Sequence, residues 1–242
     1  MRSISFAKRN IKELIRDPLS IIFSIILPLF LLVIFQQFKI PNDVYKLENF
    51  TPGIIIFSFA FLTLFVATLV ANDRESSLLS RLFSSPMKPI EYIIGYSLAI
   101  LPIVIIQGVL FYTVAIFLGM DFSISIISSI LVSIPISILF IFLGILIGSI
   151  TTAKSSSGLG SIVVQLVAFT SGMYFSSDIV GKTFDTICKI LPFSRALDIV
   201  KGVLSNNYIN IISNSIISSI YIIGVTVITI YIFKKKMFSD NK

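Results

Sequence analysis

The sequence predicts an all-α membrane protein with six transmembrane helices. Three observations lead to this fold class: the composition, six uncharged runs, and an uneven distribution of basic residues. Hydrophobic residues make up 55% of the 242 residues and charged residues 13%, and the mean hydropathy is +0.99. A soluble domain carries more charge than this, because its surface must be wetted by water. The chain is therefore expected to be embedded in a membrane.

The six uncharged runs contain no Asp, Glu, Lys, Arg or His. They comprise residues 19–38, 53–71, 92–118, 124–150, 159–175 and 211–233. A helix needs about 20 apolar residues to cross a hydrocarbon core of roughly 30 Å, and it satisfies its own backbone groups there. Residues 159–175 form the one run that falls clearly short of this length. We predict six spans in a single membrane domain covering residues 1–242.

Basic residues are concentrated on one side of the predicted membrane. If the N-terminus is cytoplasmic, the cytoplasmic segments hold 13 of the 19 Lys and Arg residues. Positively charged flanks are retained in the cytoplasm, so both termini are predicted to lie there. The net charge of +7 is then explained by topology and by contact with anionic lipids, and not by nucleic acid.

A basic amphipathic segment precedes the first run. Five apolar residues fall on one helical face, and basic residues surround the rest; the five are Ile4, Ala7, Ile11, Leu14 and Ile15. This pattern predicts a helix lying in the interfacial plane of the membrane. Asp17-Pro18 is expected to end it.

The charged stretch at residues 72–86 lies between the second and third runs. We predict a short cytoplasmic helix here, capped by Asn72 with Glu75 completing a capping box, and ended by Ser84-Ser85-Pro86. Its apolar ridge comprises Leu78, Leu79, Leu82 and Phe83. Such a ridge docks into a groove on a partner, or it rests on lipid headgroups. Spacing alone favours neither reading.

Residues 176–210 are too apolar for an ordinary outer loop. Two helical stripes are separated by Pro192: one of Val180, Phe184, Ile187 and Leu191, the other of Leu197, Val200, Val203 and Leu204. The pattern predicts two short amphipathic helices that re-enter the outer leaflet between spans five and six. These helices would also cover the end of the short fifth span.

Small and polar residues recur within the spans. Ser125, Ser129, Ser133 and Ser137 repeat every four residues, and Gly144 and Gly148 extend the same surface. This spacing indicates close helix packing. Gln165 in the fifth run needs a partner for its amide, and it either lines a pathway or bonds across a dimer interface. Pro28, Pro102 and Pro135 are expected to disturb their helices.

Catalytic chemistry is missing from the sequence. The chain has no histidine and no carboxylate inside its uncharged runs, which disfavours intramembrane enzymes and proton-coupled carriers. Gly181-Lys182-Thr183 imitates the end of a phosphate-binding loop, but Ser176 stands where that loop needs its first glycine. We therefore predict a non-enzymatic chain that binds no cofactor itself.

Two local motifs give a family resemblance. The first is Asp73-Arg74-Glu75 followed by Leu78, Leu82, Ser85-Pro86 and Glu91-Tyr92-Ile93-Ile94-Gly95; the second is Leu191-Pro192-Phe193, followed by Ala196-Leu197 and Lys201-Gly202. With the order of its segments, the chain resembles an ABC-2 type permease, the membrane half of an ATP-binding cassette exporter. It departs from that pattern at Ser76-Ser77, where Gly-Thr is commoner, and at Tyr96, where Lys usually follows the glycine.

The resemblance implies how such a chain would work. Residues 72–86 resemble the coupling helix, so the ATPase contact is expected at Asp73, Arg74, Glu75, Leu78, Leu79, Leu82 and Phe83. A separate cytosolic ATPase, in two copies, would bind ATP and Mg. A second permease chain, identical or homologous, would face this one across the pathway. The lining in such families is drawn from spans one, two and five, which here implicates Phe57, Thr63, Gln165 and Phe169.

The function implied is export across the plasma membrane of an amphiphilic substrate, such as a drug, an antimicrobial peptide or a lipid. A high content of Ile, Asn and Lys indicates a bacterial source. Two other classes of protein remain open. One is an ATP-independent channel or carrier, and the other is a membrane scaffold or immunity protein.

Overall fold

The computed structural model describes residues 2–38, 40–76, 87–175 and 179–239. Within them the helices are α1 Arg2–Ile15, α2 Pro18–Gln37, α3 Leu47–Glu75, α4 Pro89–Phe117, α5 Ser125–Ile150, α6 Ala153–Thr170, α7 Lys182–Ile190, α8 Pro192–Leu204 and α9 Ile211–Ser239. Five of these helices are long and apolar enough to cross a membrane: α2, α3, α4, α5 and α9. The all-helical membrane architecture predicted from the sequence is confirmed for the described residues.

Helix α3 lies at the centre of the molecule. In its most apolar stretch 89% of the residues are buried, against 17% for α9, which lies at the periphery. Helices α5 and α6 pack closely along α3, and α2, α4, α8 complete its surroundings. Among the described residues, the central helix therefore packs against five of the other eight helices.

Glycines allow these close contacts. A Cβ atom added to Gly148 of α5 would lie 2.4 Å from the Ala67 carbonyl oxygen, and one on Gly160 of α6 would lie 2.7 Å from Leu64 Cα. Gly144 meets α3 in the same way, and the four serines predicted to share its surface are all buried. The predicted packing role of this small-residue surface is confirmed.

Helix α2 is interrupted by a π-helical segment, Ile22–Ile26, just before Pro28. Proline has no N–H to donate, and its ring crowds the carbonyl four residues earlier, which here belongs to Ser24. The widened segment relieves that crowding. The buried Gln107 side chain of α4 supplies a donor instead, with its Nε2 2.9 Å from the Ser24 oxygen. The hydrogen bond that Pro28 cannot donate within α2 is thus replaced by one from a side chain of α4.

Replacing Gln107 with Leu is expected to destabilise the fold by about 1–3 kcal/mol, because the Ser24 carbonyl loses its donor inside the helical bundle. In a Pro28→Ala background the restored N–H can reach that carbonyl, so the same replacement should cost less. Thermal unfolding of the four proteins in one detergent measures the difference. An equal cost of Gln107→Leu in both backgrounds would contradict the link to Pro28.

The predicted cap at Asn72 is wrong. Helix α3 continues without a break to Glu75, and the Ser76 N–H donates to the Asn72 carbonyl at 2.9 Å, so Asn72 lies in the last turn of a helix. Local capping signals were outweighed because side-chain contacts of this turn to other helices hold it in the helix. The predicted ridge residues Leu78, Leu79, Leu82 and Phe83 lie outside the described residues.

The predicted fifth span corresponds to α6, which is displaced towards the N-terminus. It begins at Ala153 and ends at Thr170, so residues 171–175 are not helical. Its first turns carry Lys154 and several serines, and it is not among the helices apolar enough to cross a membrane by length and composition. One face of α6 nevertheless packs against α3.

Two short helices, α7 and α8, follow α6, as predicted for residues 176–210. Helix α8 buries the predicted stripe of Leu197, Val200, Val203 and Leu204. The stripe predicted for α7 is wrong: Val180 precedes the helix, Ile187 is 47% exposed, and Cys188 is the residue that α7 buries. Helix α7 makes fewer contacts with the bundle than α8 does, so few of its apolar side chains can be buried.

Candidate functional site

The end of α3 is a junction between helices, formed around Asp73. This carboxylate is 1% exposed and pairs with the Arg9 guanidinium of α1, with both oxygens at 2.7 Å. The Tyr96 hydroxyl of α4 donates to it, also at 2.7 Å. A buried carboxylate is retained when its charge is paired and its lone pairs are used. Asp73 therefore ties α1 and α4 to the end of α3.

The next two residues extend the junction to α5 and α6. Arg74 donates to two backbone carbonyls at the end of α5, those of Gly148 at 3.0 Å and Thr151 at 3.1 Å. Glu75 accepts from the Ala153 N–H at 2.9 Å, in the first turn of α6. Cations suit the negative end of a helix and anions the positive end, so both contacts agree with the helix dipoles. We call Asp73, Arg74 and Glu75 with these partners the α3 hub.

Charges around the α3 hub shift the pKa values of two residues on α1, Arg9 and Glu13. Burial by itself lowers the pKa of the Arg9 guanidinium, but the hydrogen bond and the charge of Asp73 outweigh it and raise that pKa. Burial, followed by repulsion from Asp73, raises the pKa of the Glu13 carboxyl, although Arg9 pairs with it. Arg9 therefore stays charged at every physiological pH.

Sequence reasoning identified the three α3 residues of the hub. Asp73, Arg74 and Glu75 were singled out, but as one surface for a partner, whereas each bonds to a different helix of the same chain. Arg9 and Tyr96 were missed as partners of Asp73. Tyr96 carried a signal, because it is a departure from the family pattern and its hydroxyl sits among aliphatic residues.

A cavity of about 520 Å³ lies between α2, α3 and α6. One side is aromatic, and the other carries a row of uncharged polar side chains on α6. The wall comprises Phe23, Leu27, Leu31, Phe57, Phe61, Leu64, Ser157, Ser161, Val164, Gln165, Ala168, Phe169 and Tyr174. Among the residues that the structure describes, none of the side chains in this wall is charged. The arrangement suits a ligand with apolar surface and a few hydrogen-bonding groups.

Three of the four predicted pathway residues meet at this cavity: Phe57, Gln165 and Phe169. Thr63 does not, because it lies on the opposite side of α3, fully buried, and donates to the Phe140 carbonyl of α5 at 2.9 Å. Its neighbour Leu64 faces the cavity instead. Ser157 and Ser161 were missed, although they precede Gln165 at intervals of four residues, which places them on one helical face.

Metal binding has no candidate site among the described residues. In this part of the chain, no group of three or more Cys, Asp or Glu side chains is close enough to hold an ion. The carboxylates at the α3 hub are occupied by Arg9, Tyr96 and the first turn of α6.

The fold and the site define a multi-pass helical membrane protein with an uncharged cavity and a charged hub at one end of its central helix. The chain belongs to the ABC-2 type transporter family, whose model matches residues 3–205. The match includes every residue of the hub and of the cavity. The predicted permease family is thereby confirmed, and such chains form the membrane component of a transporter. No curated protein sequence matches the chain at a significant level.

Proposed function

We propose that this chain is the permease subunit of an ABC exporter, which moves an amphiphilic substrate out of the cytoplasm. ATP, with Mg, is hydrolysed by a separate cytosolic ATPase present in two copies. The observation that carries this proposal is the α3 hub, whose three α3 residues lie within residues 72–86, the stretch that resembles a coupling helix.

The hub supplies a route for mechanical coupling. The three α3 residues of the hub form the last turn of a helix that continues unbroken to Glu75, so a displacement of the chain that follows acts directly on that turn. From there, side-chain bonds lead to α1, α4, α5 and α6. A rigid, bonded junction transmits a displacement, whereas a flexible one absorbs it. The ridge of Leu78, Leu79, Leu82 and Phe83 is the proposed contact with the ATPase.

The cavity is the proposed substrate pathway. Its aromatic side accommodates apolar surface, and Ser157, Ser161 and Gln165 offer hydrogen bonds without charge. Phe23 and Phe169 are 41% and 52% exposed, so the cavity is open towards a neighbouring molecule. A second permease chain facing this opening would complete a central pathway between the two chains. A drug, an antimicrobial peptide or a lipid fits this chemistry better than a small ion.

We infer a location in the plasma membrane of a bacterium, with both termini in the cytoplasm. This rests on the excess of Lys and Arg in the segments that would then be cytoplasmic. Helix α6 would act as a sixth span, with its weakly apolar first turns shielded by α3. Helices α7 and α8 would then re-enter the membrane from the outer side.

Affinity purification from native membranes in mild detergent tests the proposal. An ATPase with measurable ATP hydrolysis should co-elute with the chain, and Leu82→Asp should abolish that co-elution because it places a charge in an apolar contact. Ile209→Asp is the matched control, since Ile209 is 86% exposed beyond α8, near the opposite end of the bundle. Recovery of the chain alone, or retention of the ATPase by Leu82→Asp, would contradict the proposal and favour a channel or a scaffold.

A further inference from the structure

A second cavity, of about 200 Å³, lies beneath α1, where that helix crosses α2, α3 and α4. It shares no lining residue with the cavity of the proposed pathway. Its wall is almost entirely aliphatic and aromatic, with Leu14, Leu62, Phe65, Ala99 and Ile103 among its members. We call it the α1 cavity.

A polar recess adjoins the α1 cavity. The two spaces share Leu14, Ser20 and Phe65, and the recess, of about 330 Å³, adds charged side chains to the wall. These are Glu13, Arg16 and Asp17. An apolar chamber thus opens into a compartment that carries both signs of charge. This arrangement matches the division of a phospholipid into tail and headgroup.

Water is a poor occupant of the α1 cavity. A water molecule needs several polar partners, so a chamber of this size with an apolar wall excludes water. Such a chamber stays empty until an apolar ligand enters it. Left empty, it forfeits the dispersion contacts of every side chain that lines it. The wall is therefore suited to hydrocarbon.

Hydrocarbon also has access to the α1 cavity. Two of its lining residues, Ile15 and Ile106, are 66% and 54% exposed, so the wall continues onto the outer surface of the bundle. Leu19, 62% exposed, lies on the same surface at the start of α2. In a membrane this surface meets the acyl chains of the leaflet nearest α1, because amphipathic helices such as α1 lie at that depth.

We propose that the α1 cavity binds one acyl chain of a membrane phospholipid whose headgroup carries both a phosphate and an ammonium group. Arg16 pairs with the phosphate, and the carboxylates of Glu13 and Asp17 accept from the ammonium. Asp17 already accepts from the Ser20 backbone N–H and hydroxyl, and Glu13 already pairs with Arg9, but a carboxylate has about four acceptor positions. A headgroup bearing only negative charge would be repelled by the two carboxylates.

The bound lipid has a structural consequence for the chain. It fills the gap between α1 and three spans, and α1 also carries Arg9, the partner of Asp73. The lipid therefore holds α1 in the position from which Arg9 reaches the α3 hub. This site is separate from the pathway, so it does not depend on which substrate the transporter carries.

Tryptophan fluorescence tests the proposal, because the chain contains no tryptophan of its own. Phe65→Trp places a single reporter in the wall of the α1 cavity. Phe59→Trp is the matched control: Phe59 lies on the same helix, is fully buried, and packs against Phe140 of α5. In vesicles of phosphatidylethanolamine with brominated acyl chains, Phe65→Trp should lose most of its fluorescence and Phe59→Trp little. Equal quenching of the two reporters would overturn the acyl-chain site.

Two further measurements separate the tail from the headgroup. Ala99→Leu, which adds bulk inside the α1 cavity, should restore the fluorescence of Phe65→Trp. Brominated phosphatidylethanolamine should quench more strongly than brominated phosphatidylglycerol, and Arg16→Gln should remove that preference. Stronger quenching by phosphatidylglycerol would overturn the headgroup assignment. For the unaltered chain, native mass spectrometry should find one phospholipid retained in mild detergent, and none retained would overturn the site.

Discussion

Replacing Asp73 with Asn is expected to destabilise the chain by roughly 3 kcal/mol, the lower end of the range for breaking a buried ion pair. The replacement keeps the shape of the side chain but removes the charge that holds Arg9. It also weakens the bond from the buried Tyr96 hydroxyl. The cost falls at the lower end because the Arg9 side chain is 37% exposed and keeps part of its hydration. Thermal unfolding in detergent measures the loss.

Glu75→Gln is the matched control for Asp73→Asn, because it removes one carboxylate charge from the same turn. Glu75 is exposed and bonds to a helix N-terminus, an interaction that contributes about 0.3–1 kcal/mol. Tyr96→Phe should fall between the two, since it leaves the ion pair intact. If Asp73→Asn costs no more than Glu75→Gln, the hub does not fix α1 to the bundle.

The second large effect is expected at the glycines that face α3. Gly148→Ala should cost about 2–3 kcal/mol through overpacking, because the new methyl group would meet a backbone carbonyl at 2.4 Å. A side chain can rotate away from such a contact, but the backbone of a central helix cannot. Gly160→Ala should act similarly against Leu64 Cα. Thermal unfolding of the purified chain measures both losses.

Gly158→Ala provides the control on the same helix as Gly160, two residues earlier. A Cβ atom at Gly158 meets nothing within 4 Å, so this replacement should be neutral, or should stabilise by up to about 1 kcal/mol through helix propensity. Equal losses at Gly158 and Gly160 would indicate a general intolerance of α6 to substitution. They would then contradict the close approach to α3 as the cause.

The helical spans were predictable because their physical requirement is local. A run without charge, about 20 residues long, has few ways to satisfy its backbone in hydrocarbon, and an intact helix is the simplest. Five of the predicted runs correspond to helices that meet this criterion. The remaining run, the predicted fifth span, corresponds to α6. This helix begins earlier than predicted because its polar first turns bond to Glu75 and pack on α3, and a hydropathy pattern registers neither contact.

The capping signals at Asn72 failed for a different reason. A cap is a local preference of about 0.5–2 kcal/mol, and here it competes with several side-chain bonds that keep the helix intact. Asp73 bonds to Arg9, which lies 64 residues away in sequence, and Arg74 bonds to Gly148, which lies 74 residues away. No local pattern contains that information.

The sequence alone was sufficient to identify a helical membrane protein, because composition and uncharged runs decide between lipid and water one segment at a time. Its likeness to the ABC-2 type rested on two local motifs, and at that level it was a resemblance. The sequence also determined which residues carry unusual chemistry, among them Asp73, Arg74, Glu75 and Gln165. Which helix faces meet could be learned only from the folded bundle. Thr63 and Leu64 are adjacent in sequence, yet one contacts α5 and the other faces the cavity. The rotation of each helix about its axis is set by the close packing of glycines and buried polar pairs between helices, which exists only once the bundle has assembled.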